Sequence, residues 1–217
     1  MAADPGVVPG QLRIGGRPRS LAMRLPPAAD GPIPLVIVLH GNTPGGGGWL
    51  MRQWTTFDKQ ADVRGFAVAY PDGHGGCWAD GRGVTTADEA GVDDVAFLTS
   101  LIDWSAERYG TFSDRVVVAG LSNGAFMAHR MALEASAQVA VLAAVAGGLP
   151  AALRDMPPAH AVSAMLIHGT ADTISPIGGG YSRHLGPSGE RRGRTLSLAE
   201  ICRFAEPLLA SAASRRL

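Results

Sequence analysis

A disulfide scaffold, charge imbalance and long apolar runs are all missing from this sequence. Two cysteines, Cys77 and Cys202, occur in 217 residues. That is too few for a disulfide scaffold, and with no export signal two free thiols are the expected state, a single bridge in an oxidising compartment being the alternative. The 19 Lys and Arg side chains are matched by 19 Asp and Glu, so no overall field draws the chain to nucleic acid or to an anionic membrane. A small or neutral partner is expected instead. The longest apolar runs, LVIVL and VAVLAAVA, stop well short of the roughly 20 residues that span a bilayer. The opening MAADPGVVPGQLRIGG has no basic start followed by an apolar stretch, so no secretory leader is visible. As written the chain is expected in the cytoplasm; a leader already removed, or a misassigned start, would make it a secreted protein. Internal repeats and tracts of like charge are also absent.

What is present is an apolar content of 46% with 29 glycines and 15 prolines distributed between apolar runs. This is enough for one substantial core, and the whole of 1–217 is expected to form a single domain. Continuous apolar runs at Leu35–His40, Phe66–Tyr70, Arg115–Gly120, Val139–Gly147 and Ala164–Gly169 suit strands buried on both faces. Helical patterns lie between them, clearest in VDDVAFLTSLIDWSAERYG, where Val92, Val95, Ala96, Thr99, Ile102 and Ala106 are predicted to form one stripe. Strands alternating with helices imply an α/β fold with a mostly parallel central sheet and helices on both faces. Near the end, Ser197 to Glu200 reads as a capping box that opens a last helix through Ile201, Phe204, Ala205 and Leu208, with Pro207 keeping it short or kinked.

The chemistry centres on Gly120-Leu121-Ser122-Asn123-Gly124. In a G-x-S-x-G turn between a strand and a helix, the serine is held on a strained corner and the flanking glycines relieve crowding. RVVVA supplies the strand, and NGAFMAHRMALEA supplies a helix whose first amides and dipole favour a developing oxyanion. Ser122 is therefore the candidate nucleophile and the Asn123 amide a candidate oxyanion donor; an ordinary glycine-rich turn is the competing reading. The second donor is sought in LHGNTPGGGG, where Asn42 is the first candidate and Thr43 the next, while His40 is expected to be structural. The glycine run Gly45 to Gly48 lacks the following Lys-Ser or Lys-Thr of a phosphate cradle. After the last strand-like run, Asp172 stands where a triad acid belongs in the order Ser, Asp, His, with turn stabilisation as the alternative. Asp93 and Asp94 read as helix-capping residues. Cys77, Trp78 and Arg82 could wall the cleft, with packing of Trp78 the competing reading.

Five blocks in order, LHG, YPDGHGGCWADGR, GVDDVAFLTSLID, GLSNGAFMAHRMA and LIHGTADTISPIGGG, resemble the polyhydroxybutyrate depolymerase and feruloyl esterase-like branch of the α/β-hydrolases. The resemblance runs over residues 12–180. It implies hydrolysis of carboxylic esters with Ser122 as nucleophile and Asp172 as acid. The substrate would be a small or polymeric ester: short acyl esters, polyester oligomers, or feruloyl and acetyl esters. It implies no metal and no organic cofactor.

The base is the difficulty. The family's histidine lies in a block after a last strand, and neither that strand nor that block is found after SLAEICRFA. Of the six histidines only His184 follows Asp172, which makes it the candidate base, although its closeness to Asp172 leaves no room for an intervening helix and strand and a solvated loop histidine is the competing reading. His129 and His168 are expected to be structural, and His74 is a candidate for the cleft wall. A serine without its base is a weak nucleophile, yet a triad missing one member retains roughly 10³- to 10⁴-fold acceleration over water. The expectation is a serine esterase; the alternative is a catalytically impaired truncated member, or a non-catalytic binding member, of the same fold. Loss of the last strand would leave an unpaired sheet edge and invite self-association.

Overall fold

The structure is a computed structural model, described for residues 6–27, 31–45, 47–183, 191 and 193–203. Seven strands form one sheet: β1 (Val7–Ile14), β2 (Arg17–Arg24), β3 (Leu35–Leu39), β4 (Ala67–Pro71), β5 (Val116–Leu121), β6 (Val139–Val145) and β7 (Ser163–Ile167). Their order is β1-β2-β4-β3-β5-β6-β7. β3 to β7 run parallel to one another, and the β1–β2 hairpin joins antiparallel through β2 and β4. The five strands expected from apolar runs are β3 to β7, each within two residues of its expected ends.

The hairpin escapes that reading because β1 alternates half-buried and exposed residues instead of running apolar throughout. Its signal lies in Gly15 and Gly16, which sit between the strands at φ 54° and 78°. Two residues at positive φ make the turn whose twist matches a two-residue hairpin, and Gly-Gly adopts it without steric cost. Pro9 is accommodated because β1 is an edge strand of the sheet.

Alternation along the central strands divides the core. Val36, Val38, Val68 and Tyr70 pack on one face against Met51 and Ala61, from α1 (Gly48–Trp54) and α2 (Phe57–Arg64). Leu35, Ile37, Leu39, Ala67 and Ala69 face the other way. A short α3 (Thr86–Glu89) precedes α4 (Asp94–Tyr109), which covers that second face together with α5 (Asn123–Glu134). The buried stripe of α4 is Asp94, Phe97, Leu98, Leu101, Ile102 and Ser105, and of the expected stripe only Ile102 belongs to it. Both stripes have helical spacing, but burying Phe and Leu removes more apolar area, at about 1.5–3 kcal/mol per side chain, than burying Ala and Thr. Thr99 instead returns its hydroxyl to the Val95 carbonyl at 3.0 Å.

The expected capping box is present. Ser197 Oγ accepts from the Glu200 amide at 3.2 Å, and Glu200 Oε2 accepts from the Ser197 amide at 2.8 Å. Helix follows over 198–203; Phe204, Ala205, Pro207 and Leu208 lie outside the described residues. Cys77 is buried, Cys202 is exposed, and both are free. No helix among the described residues is long and apolar enough to cross a membrane.

Candidate active site

Ser122 sits at the carboxyl end of β5, one residue before α5, at φ 52° and ψ −116°. A non-glycine residue there carries strain of about 1–3 kcal/mol, held by its surroundings. The Ser122 amide donates to Val145 O at 2.8 Å, and the Ser122 carbonyl accepts from the Ala125 and Phe126 amides. The two motif glycines are required by contact. A Cβ at Gly120 would lie 2.1 Å from Gly124 O, and one at Gly124 would lie 2.4 Å from Leu39 O. Gly147, after β6, is as tightly placed, since its Cβ would fall 2.6 Å from Ser122 O.

The segment after β3 closes over the serine from the other side. A Cβ at Gly41 would lie 3.4 Å from Ser122 Cβ and 4.0 Å from its Oγ, so Asn42 follows a residue in contact range of the nucleophile. The Thr43 amide already donates to Gly76 O at 2.9 Å, which removes the second-choice donor. The Asn42 amide has no partner among the described residues, and the Asn123 amide, as the first of α5, has none within its helix. Among the described residues both candidate amides thus lack a partner, Asn123 directly after the serine and Asn42 one residue beyond the Gly41 that packs against it.

Asp172 follows β7, at the same sheet edge as the carboxyl ends of β5 and β6. Its Oδ1 accepts from the Ile174 and Ser175 amides at 2.8 and 2.9 Å, so it does serve its turn, while Oδ2 lies 3.6 Å from His168 Nε2. His168 Nε2 is bonded to Ser175 O at 2.5 Å, which occupies it locally. His184 lies outside the described residues.

His40 is buried, and its Nε2 accepts from the Gly73 amide at 2.9 Å. Since an amide only donates, Nε2 is unprotonated and Nδ1 carries the hydrogen toward Gly41 O at 2.6 Å. Burial holds its pKa below the usual histidine value, as suits a neutral structural ring. His129, on α5, is fully buried and pushed down to about 4 by desolvation.

Trp78 is fully buried, so the cleft-wall reading is set aside for it. Asp93 caps α4 by accepting from the Ala96 amide at 2.8 Å, as expected. Asp94 differs: it is fully buried, its Oδ1 accepts from Arg19 Nη2 at 2.5 Å and its Oδ2 from the Ala79 amide at 2.7 Å. A buried carboxylate needs such partners more than the helix end needs a second cap. Asp80, not anticipated as important, is also fully buried, paired with Arg82 and bonded to Asn123 Nδ2 at 2.6 Å. No local signal marks it, because Asn123 lies 43 residues away. Among the described residues, no group of three His, Cys, Asp or Glu is placed to hold a metal ion.

Comparison with known proteins identifies the family and the fold. The family model described as "Esterase PHB depolymerase" matches residues 19–177. "Putative esterase NocK" of Nocardia uniformis subsp. tsuyamanensis is 29% identical over 180 residues, covering 82% of this chain and 52% of its own length. A bifunctional acetylxylan esterase/xylanase of Neocallimastix patriciarum is 28% identical over 145 residues, covering 65% of this chain and 19% of its own. The chain thus spans about half the length of the first of these relatives and less of the second. Among solved structures, an acetyl xylan esterase from Aspergillus awamori superposes with a TM-score of 0.53 at 20% identity, over 65% of this chain and 53% of that one. The S-formylglutathione hydrolase of Staphylococcus aureus gives 0.51 at 15% identity, over 64% and 56%. Likeness at such identities establishes the fold, which is that of the α/β-hydrolases. Because the family model matches residues 19–177, most of the chain, the chain belongs to the esterase PHB depolymerase family.

Proposed function

We propose that this chain hydrolyses carboxylic esters through an acyl-enzyme on Ser122. The observation that carries the reading is Ser122 at φ 52° on a strand-to-helix turn, followed directly by Asn123 and packed against Gly41, with the Asn42 and Asn123 amides both lacking a partner among the described residues. In this mechanism Ser122 Oγ attacks the ester carbonyl carbon, and the two amides stabilise the resulting oxyanion. The alcohol departs with a proton, and water then releases the acid. Asp172 is the acid that orients the base, and its position after β7, in line with β5 and β6, supports that role. His184 is the base candidate that chain order allows. The acetylxylan esterases among the relatives favour a small acyl group, with acetyl and other short-chain esters as the substrate class.

A second element of this reading concerns assembly. β7 is the last strand of the sheet among the described residues, and its Met165 and Ile167 are 60% and 55% exposed. An apolar edge of this kind pairs readily with another copy, and the proposed assembly is a dimer through β7.

The test is hydrolysis of 4-nitrophenyl acetate by the purified chain beside Ser122→Ala, Asp172→Asn and His184→Ala. Activity lost in Ser122→Ala and sharply reduced in Asp172→Asn is the expected result; activity unchanged in Ser122→Ala would refute serine chemistry. Loss in His184→Ala would identify the base, and its retention would remove His184 from the mechanism.

A further inference from the structure

The Asn42 and Asn123 amides come from segments that are far apart in sequence, and one buried residue, Trp78, is bonded to both segments, by its backbone to Asn123 and by its indole to His40. The Asn123 amide has no partner among the described residues, and its side chain is bonded to the 78–80 segment. Asn123 Oδ1 accepts from the Trp78 amide at 2.7 Å, and Nδ2 donates to Trp78 O at 3.2 Å and to Asp80 Oδ2 at 2.6 Å. Trp78 then reaches the other segment: its indole N–H donates to His40 O at 2.9 Å, with the two rings 5.0 Å apart. From His40 the path continues through Nδ1 to Gly41 O, and through Nε2 to the Gly73 amide. The same 73–76 turn accepts the Thr43 amide. Residues 40, 41 and 43 are thus each fixed, and Asn42 is carried between them.

The 78–79 segment has no regular secondary structure, and its buried polar groups are met by side chains. Ala79 N donates to Asp94 Oδ2, Ala79 O accepts from Arg130 Nη1 at 2.7 Å, and Trp78 O also accepts from Thr85 Oγ1 at 2.9 Å. A segment anchored on α4, α5 and the turn before α3 is a rigid reference. Buried, satisfied networks of this type specify one arrangement, because any displacement leaves a polar group unpaired in low dielectric.

We propose that Trp78 is a positioning residue that fixes the distance between the Asn42 and Asn123 amides, acting through His40 on one side and the Asn123 side chain on the other. This rests on the reading of those two amides as the oxyanion hole. An oxyanion hole works because its donors are placed before the charge develops, and a displacement of about 1 Å in such a site costs up to about 100-fold in rate. Trp78 touches no substrate, so ground-state binding is left alone and the loss falls on kcat.

The test uses the full chain with Trp78→Phe, which keeps an aromatic ring and removes the indole donor. Leu98→Ala, in the core on α4, serves as a destabilised control. Steady-state hydrolysis of 4-nitrophenyl acetate is combined with amide hydrogen exchange at Thr43, Gly73 and Ser122, normalised to the amides of α4. The expected result for Trp78→Phe is a 10- to 100-fold fall in kcat with KM within about twofold. Normalised exchange rises at Thr43 and Gly73 and also at Ser122, whereas Leu98→Ala produces neither effect. A fall in kcat no larger than that of Leu98→Ala, a change carried by KM, or faster exchange on one side only would overturn the proposal. If hydrolysis does not depend on Ser122, the esterase reading fails, and the bridge is then decided by exchange: a joint response at both segments sustains it, and a one-sided or absent response rejects it.

Discussion

The two sides of the candidate site are held by different means. On the nucleophile side Leu39, Trp78 and Asn123 are essentially inaccessible, and the bonds between Trp78 and Asn123 join residues 45 apart. On the acid side Met165, Ile167 and Ile174 are more than half exposed, and Asp172 is fixed by amides two and three residues ahead of it. Of the two proposed oxyanion donors, Asn123 is part of the folded core and Asn42 lies at the exposed rim, while the proposed acid rides on a local turn. Substitutions near Ser122 are expected to cost both stability and activity, while those near Asp172 separate the two.

The largest expected effect lies on the acid side. Asp172→Asn keeps an oxygen for the Ile174 and Ser175 amides but loses the charge that favours a protonated base. Ester hydrolysis should fall about 10⁴-fold with the melting temperature little changed. A loss of activity only in proportion to lost stability would make Asp172 a turn residue and nothing more.

A matched pair of glycines measures the contrast in packing. Gly124→Ala drives a methyl into the Leu39 and His40 carbonyls at 2.4 and 2.6 Å, whereas a Cβ at Gly178, in the turn after Asp172, meets nothing within 4 Å. Urea unfolding should show a cost of about 3 kcal/mol or more for the first and within about 0.5 kcal/mol of no change for the second. Equal costs would remove the distinction between the two sides.

His129 links packing to pH. It is neutral in the fold, with a pKa of about 4 against an ordinary 6.5, so the unfolded chain takes up a proton first as pH falls. The stability this histidine provides is complete above pH 6.5 and is lost between there and about pH 4, amounting to about 3 kcal/mol. His40, lowered in the same direction, adds to that slope. Unfolding free energies measured from pH 7 to pH 4 should fall, and His129→Gln should flatten the curve; a slope identical in the variant would contradict the assignment.

The smallest effect is expected at β7, the last strand of the sheet among the described residues. Met165→Lys alters a side chain that is already 60% exposed, so stability should move by less than about 0.5 kcal/mol. Analytical ultracentrifugation should nonetheless show the dimer lost, and a wild-type chain that sediments as a monomer at all concentrations would dispose of the β7 interface.

Much of this was legible from sequence where one segment carries its own signal. The apolar runs of β3 to β7 stand out because those strands are buried from both sides, and Ser122 between Gly120 and Gly124 fits only a tight strand-to-helix turn. The β1–β2 hairpin hid behind half-exposed alternation and Pro9, although Gly15-Gly16 gives its turn away. Asp80, Asp94 and the Asn123 side chain were not legible, since their roles depend on partners 15 to 75 residues distant. A buried carboxylate and a capping one look alike in a string of letters. The register of α4 failed for a related reason: two stripes had helical spacing, and only the sheet beneath decides which one is covered.

The most direct test of Ser122 as an activated nucleophile is the intact mass of the chain after treatment with an alkyl fluorophosphonate, followed by peptide mapping. The account predicts one adduct, carried by the peptide containing Ser122 and absent from Ser122→Ala. No adduct, or an adduct that persists in Ser122→Ala, would contradict it.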